Sequence, residues 1–148
     1  MDVSFRLLYE VPGLPVHVVI PAPQFMGTKQ QLIDLSIPAN TPYAEVHASQ
    51  VPGDLYFRNA WELKDKKIAI NLEKAKGIHI DNLRVTRESL LNKLDLQMNI
   101  AIEKNDLLAQ ANISTQKQKL RDMPTDQIFN TAVNADQLKD ILPDYMKE

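Results

Sequence analysis

Proline is the feature that most limits what this chain can become. Seven of its nine prolines lie within the first sixty residues, at Pro12, Pro15, Pro21, Pro23, Pro38, Pro42 and Pro52. Proline fixes φ and removes a backbone donor, so that part can hold only short elements joined by rigid turns. From Trp61 onward only Pro124 and Pro143 interrupt the chain, leaving room for long helices. Aromatic and charged residues divide the same way. Six of nine aromatics precede Trp61, while 14 basic and 14 acidic residues follow from it. The expected organisation is α+β: a Pro-rich, β-rich part over 1–60, then a β-hairpin, an αα-hairpin and a short C-terminal helix over 61–148.

In the first part, Ser4–Tyr9 and Val16–Ile20 are short runs rich in leucine, aromatic and β-branched residues. They flank Val11-Pro12-Gly13-Leu14-Pro15 and read as an antiparallel hairpin. Pro21-Ala22-Pro23 ends the pairing. Thr28 caps a short helix over Lys29–Leu35, and Tyr43–Ala48 alternates as a half-exposed third strand. Trp61-Glu62-Leu63 and Lys67–Ile70 flank the charged turn Lys64-Asp65-Lys66, with Trp61, Leu63, Ile68 and Ile70 as its inward side chains.

Asn71 caps a long helix. Leu72, Ala75, His79, Leu83, Leu90, Leu94 and Met98 recur at helical spacing, and Ile80, Leu91 and Ile102 widen the stripe. Gly77 is the place where this helix would break or kink, since glycine costs about 1 kcal/mol against alanine there. Lys104-Asn105-Asp106 turns the chain into a second helix that runs to Asp122, before Met123-Pro124. Asn134 and Gln137 have capping-box spacing and open a last helix, Ala135–Leu142. The first helix is too long for its partner to cover. Its apolar residues on more than one face predict a second copy of the chain or a stable protein partner, with Ile80, Leu91 and Ile102 facing it.

The residues argue against most chemistry. There is no cysteine, which removes disulfides, thiol catalysis and cysteine-based metal sites. His17, His47 and His79 stand apart with no metal-ligand spacing, and the four glycines stand singly, so no phosphate loop exists. The carboxylates of the second part have basic neighbours, as a solvated charged face does. A formal charge of −2 gives no support to a nucleic-acid partner. No stretch approaches the roughly 20 apolar residues of a membrane helix, and the amino terminus lacks the form of a secretory leader. No catalytic residue, metal or cofactor is expected, and the chain reads as non-enzymatic. Phe57-Arg58-Asn59-Ala60-Trp61 is the one unusual cluster. Trp61 reads as core, while Phe57 and Arg58 are candidates for an interface.

Several segments in combination carry a resemblance. They are Pro21-Ala22-Pro23, Pro38-Ala39-Asn40-Thr41-Pro42-Tyr43, Phe57-Arg58-Asn59-Ala60-Trp61, Arg87-Glu88-Ser89-Leu90-Leu91-Asn92-Lys93-Leu94-Asp95 and Leu120-Arg121-Asp122-Met123-Pro124. Over nearly its whole length the chain resembles the bacteriophage tail assembly chaperone and tail-fibre-associated group. The resemblance implies a non-enzymatic protein that binds a tail fibre or baseplate component, either as assembly chaperone or as a virion tail subunit. Its location would then be the virion tail, or the host cytoplasm during assembly. Many members carry a tryptophan soon after the aspartate of the helical motif, where this chain has Leu96-Gln97-Met98. The alternative is a general helical-hairpin adaptor or regulatory protein unrelated to virions. On either reading the hairpin is antiparallel, and Arg121 is expected to pair with Asp81 or Glu88 and fix its register.

Overall fold

The computed structural model of the chain describes residues Asp2–Glu148, an α+β protein. Its contacts divide it into two units, Met1–Ala75 and Lys76–Glu148. The change in composition had placed the boundary after Ala60. The difference arises because Trp61, Leu63, Ile68 and Ile70 pack on Leu8, Val16, Ala44 and Val46, and so join the β-hairpin to the first unit.

The first unit has three layers. Strands β1 (Phe5–Tyr9), β2 (His17–Val19) and β3 (Tyr43–His47) form an antiparallel sheet in the order β2-β1-β3. Leu8 pairs with Val18 on one side and Ala44 on the other, and Leu7 pairs with Val19 and Glu45. Successive side chains of a strand point to opposite faces. Central β1 therefore sends Leu8 to one core and Phe5 and Leu7 to another. Helix α1 (Lys29–Ser36) covers the second face through Leu32, with Ile37 just beyond it. Thr28 and Gln31 close its amino end as a reciprocal capping box, with bonds of 3.2 and 2.8 Å. The other face carries the ribbon of β4 (Trp61–Lys64) and β5 (Lys67–Ile70). Its two-residue turn holds Asp65 and Lys66 at φ 52° and 61°. Both lie in the left-handed region a tight hairpin turn demands, without the glycine that usually relieves it.

Asn71 caps α2 (Leu72–Glu103) by accepting from the Lys74 N–H at 3.1 Å. The helix is continuous across Gly77, the one place where its sequence left room for a break. A Cβ at Gly77 would meet nothing within 4 Å, so the position is simply open, and 32 residues extend about 48 Å.

The second unit is built on the hairpin of α2 and α3 (Leu107–Asp122). Asn105 turns the chain at φ 53°, and Asp106 caps α3 by accepting from the Ala109 N–H at 3.0 Å. Leu94 and Ala101 of α2 and Ile113 and Leu120 of α3 are buried. The ion pair that spans the hairpin is Lys117 with Asp95, and Arg84 engages Asp81 on its own helix. Among the described residues Arg121 forms no ion pair, so it does not set the register.

Beyond α3 the chain folds back in short turns. Met123–Thr125 and Gln127–Thr131 are 3-10 segments, α4 covers only Ala135–Lys139, and Asp144–Met146 is a third such turn. Pro124 sits in the first turn of its segment, where a missing N–H removes no bond. Met123, Phe129, Leu138 and Met146 are all buried. Asn134 caps α4 through the Gln137 N–H at 2.8 Å, and Gln137 Oε1 accepts from Val133 N at 3.1 Å.

Candidate partner-binding surface

The Phe57–Trp61 cluster lies inside the first unit. Phe57 is 4 % exposed, which corrects its assignment as an interface residue. It lies in the 55–60 segment, edge-on to Tyr56 at 4.7 Å, and no partner could reach it without opening the unit. Trp61 is 3 % exposed. Arg58 is half-buried, stacked over the Trp61 ring at 4.6 Å, with Nη2 donating to the Val16 carbonyl. Its guanidinium thus braces the hairpin loop against the tryptophan, a positioning role inside the unit. The Val16 N–H donates in turn to the Trp61 carbonyl at 3.3 Å. Trp61 Nε1 is buried with no hydrogen-bond partner, so the indole acts here through its area.

The candidates on α2 behave differently from one another. Ile80 and Leu91 are half-buried, while Ile102 is 56 % exposed. Ile102 does not stand alone. Leu96, Ile100, Leu107 and Leu108 are also exposed, placing five large apolar side chains around the turn of the hairpin. The helix period explains this outcome. Ala101 and Leu94, seven apart, take the inward line, so Ile100 and Ile102 on either side of Ala101 must diverge from it. Leu107 and Leu108 open α3 before its first buried residue, Ile113. Beside them is a shallow cavity of about 370 Å³ with Ile100, Lys104 and Asp106 at its edge. Sequence reasoning missed four of the five. The available signal was two adjacent leucines directly after a capped turn, since only one of two neighbours 100° apart can face a single partner helix.

Polar groups in the same unit tie its segments together. His79, 3 % exposed, places Nε2 2.8 Å from the Ile141 carbonyl and stands edge-on to Phe129. A carbonyl only accepts, so Nε2 carries the proton. The Tyr145 hydroxyl donates to Asp126 Oδ2 at 2.6 Å. Burial, together with that carboxylate, pushes the phenol above its ordinary value.

Two exposed carboxylates, Asp2 and Asp144, are displaced downward. Asp2 is lowered by the Ser4 N–H and hydroxyl, and Asp144 by Lys147. Both are fully exposed, and the direction is opposite to what a general acid requires. Among the described residues no three His, Asp or Glu side chains are grouped to hold a metal, and no helix is long and apolar enough to cross a membrane. No family model, curated protein or solved structure matches the chain.

Proposed function

We propose that the chain is a non-enzymatic phage tail protein that binds a tail fibre or baseplate component, as assembly chaperone or as virion tail subunit. The observation that carries this reading is the group Leu96, Ile100, Ile102, Leu107 and Leu108, exposed together at the turn of the helical hairpin. Covering each of them against a partner is worth about 1–2 kcal/mol, enough in sum to hold a complex. Leu96 also begins the Leu96-Gln97-Met98 segment, which stands where many members of the resembling group carry a tryptophan. A partner contact made through that tryptophan has no aromatic counterpart in this chain.

The test is co-expression with the neighbouring tail genes, followed by pull-down, for the native chain and for Ile100→Asp combined with Leu108→Asp. Retention of a fibre or baseplate protein by the native chain and its loss in the variant is the expected result. Failure to retain any tail protein, combined with absence from purified virions, overturns the reading. Presence in virions at stoichiometric copy number marks a subunit, and capture without such presence marks a chaperone.

A further inference from the structure

The three-stranded sheet has two edges, and the chain treats them differently. At the β2 edge the Val16 N–H donates to the Trp61 carbonyl at 3.3 Å, and the Val16 carbonyl accepts from Arg58. Only Val18 stays open there, between the ribbon and Pro21. The β3 edge is less protected. Bonded and non-bonded residue pairs alternate along an antiparallel ladder. The Ala48 N–H donates to the Ser4 carbonyl at 2.6 Å, which makes Arg6–Val46 and Leu8–Ala44 the bonded pairs of β1 and β3. The backbone N–H and carbonyl groups of Tyr43, Glu45 and His47 therefore point away from the sheet. The Gln50 side chain takes the His47 N–H at 2.9 Å. Among the described residues, Tyr43 and Glu45 have no hydrogen-bond partner for either backbone group. No proline or lysine guards the strand, and Tyr43 is 46 % exposed. Such an edge is a template for another strand.

The open stretch is short. Before it the Thr41 N–H is bonded to the Pro38 carbonyl at 3.2 Å, and after it Ala48–Gln50 turns away. A flexible peptide would have to be ordered for only a few bonds. The β3 strand of another molecule is ordered already, and its open groups are self-complementary. Set antiparallel about a two-fold axis at Ala44, Tyr43 of each copy meets Glu45 of the other. Four hydrogen bonds then use every open N–H and carbonyl of Tyr43 and Glu45 in both copies. Each Tyr43 ring also comes beside a Glu45 carboxylate that Lys29 already neutralises. An axis at Glu45 would instead set the two Glu45 side chains directly opposite one another. It would also aim the Tyr43 carbonyls at His47 N–H groups already taken by Gln50.

We propose that the chain pairs with a second copy of itself through the β3 edge, antiparallel about Ala44, so that two three-stranded sheets become one in the order β2-β1-β3-β3-β1-β2. The contact is small, so the dimer exchanges rapidly and is populated at high protein concentration. This contact lies apart from the hairpin turn that carries the tail reading.

The test is sedimentation equilibrium of the full chain from micromolar to millimolar concentration, with amide hydrogen exchange followed at both ends of that range. The mean mass should rise from monomer toward dimer, and the Tyr43 and Glu45 amides should become protected in step with it. Glu45→Pro removes an outward N–H and no bond of the sheet, and should weaken association at least about tenfold. Because the chain has no cysteine, single cysteines report the register. Ala44→Cys should link two copies under mild oxidation, since the Cα atoms of a non-bonded pair lie about 4.5 Å apart, and Glu45→Cys should link at least about tenfold more slowly. A native chain that stays monomeric at millimolar concentration overturns the proposal. If that monomer captures an added strand peptide at β3, the occupant is a foreign strand. Faster linking of Glu45→Cys than of Ala44→Cys overturns the register. Dimerisation that survives Glu45→Pro but is lost in Ile100→Asp combined with Leu108→Asp moves the contact to the hairpin turn and equally overturns the proposal. The tail reading is tested separately, by the pull-down.

Discussion

The two units spend their large apolar residues in opposite ways. In the first, the exposed ones (Val3, Leu14, Ile20, Met26, Leu35, Tyr43 and Leu55) are scattered singly over strand ends, loops and the last turn of α1. Its aromatic and cationic cluster is turned inward, around Trp61. In the second, five of the eight exposed large apolar residues fall between Leu96 and Leu108. Isolated exposed hydrophobics are ordinary, whereas five within thirteen residues of one helical hairpin are a concentration that the first unit does not have. The lesson is that bulk and aromaticity in the sequence point to the core, while the side chains left exposed near the helix turn are plainer aliphatic ones.

The comparison breaks most decisively at Trp61. Trp61→Ala should lower stability by about 3–5 kcal/mol and reduce solubility, and Phe57→Ala should follow closely. Trp61→Phe should cost much less, because Nε1 has no hydrogen bond to lose. Thermal melting checks all three, and an unchanged melting temperature for Trp61→Ala would remove the indole from the core.

The next effect concerns the polar fastening of the second unit. Tyr145→Phe should cost about 1–2 kcal/mol by leaving Asp126 without its phenol donor. The folded phenol is held above its ordinary value of 10.0. Its contribution is therefore whole below that pH and lost as pH rises beyond it, where the unfolded tyrosine ionises and the folded one does not. The difference between native and Tyr145→Phe urea midpoints should accordingly shrink in alkaline solution. A difference that stays constant from pH 8 to 11 would exclude the linkage.

A smaller effect is expected at the ribbon turn. Lys66→Gly relieves a left-handed residue and should add about 0.5–1 kcal/mol, read as a raised urea midpoint. Smallest of all in stability are Ile100→Asp and Leu108→Asp, which should move it by no more than about 0.5 kcal/mol while abolishing partner capture. A large stability loss there would mean that the second unit also uses those residues internally, and the contrast between the units would disappear.

Local chemistry was legible in the sequence. Thr28, Asn71 and Asn134 were recognisable as caps because capping depends on residues three or four apart, while the Asn105-Asp106 pair left the cap of α3 open between two residues until the structure placed it on Asp106. The alternation of Tyr43–Ala48 predicted a half-exposed strand, and the structure buries Ala44 and Val46 while the strand closes at His47. Two kinds of feature were not legible. Three- to five-residue turns such as Gln127–Thr131 and Asp144–Met146 have no period to detect, so Phe129 and Met146 gave no sign that they would fill the core of their unit. Adjacent apolar pairs on a helix, such as Leu90-Leu91, cannot be assigned a facing direction without knowing what covers them. The extent of α4 was overread for a similar reason, since Leu142 and Pro143 looked like a natural end while the helix closes at Lys139.

The layered sheet of the first unit also has a consequence during synthesis. Leu8, Ala44 and Val46 emerge from the ribosome well before the ribbon that covers them, and the Val16 N–H waits for the Trp61 carbonyl. A nascent chain halted at Ala60 carries a sheet with one apolar face bare, and only when Ile70 is free does that face close. Expression boundaries placed at the change in composition would therefore yield an aggregating fragment, whereas one ending after Ala75 retains every layer of the unit.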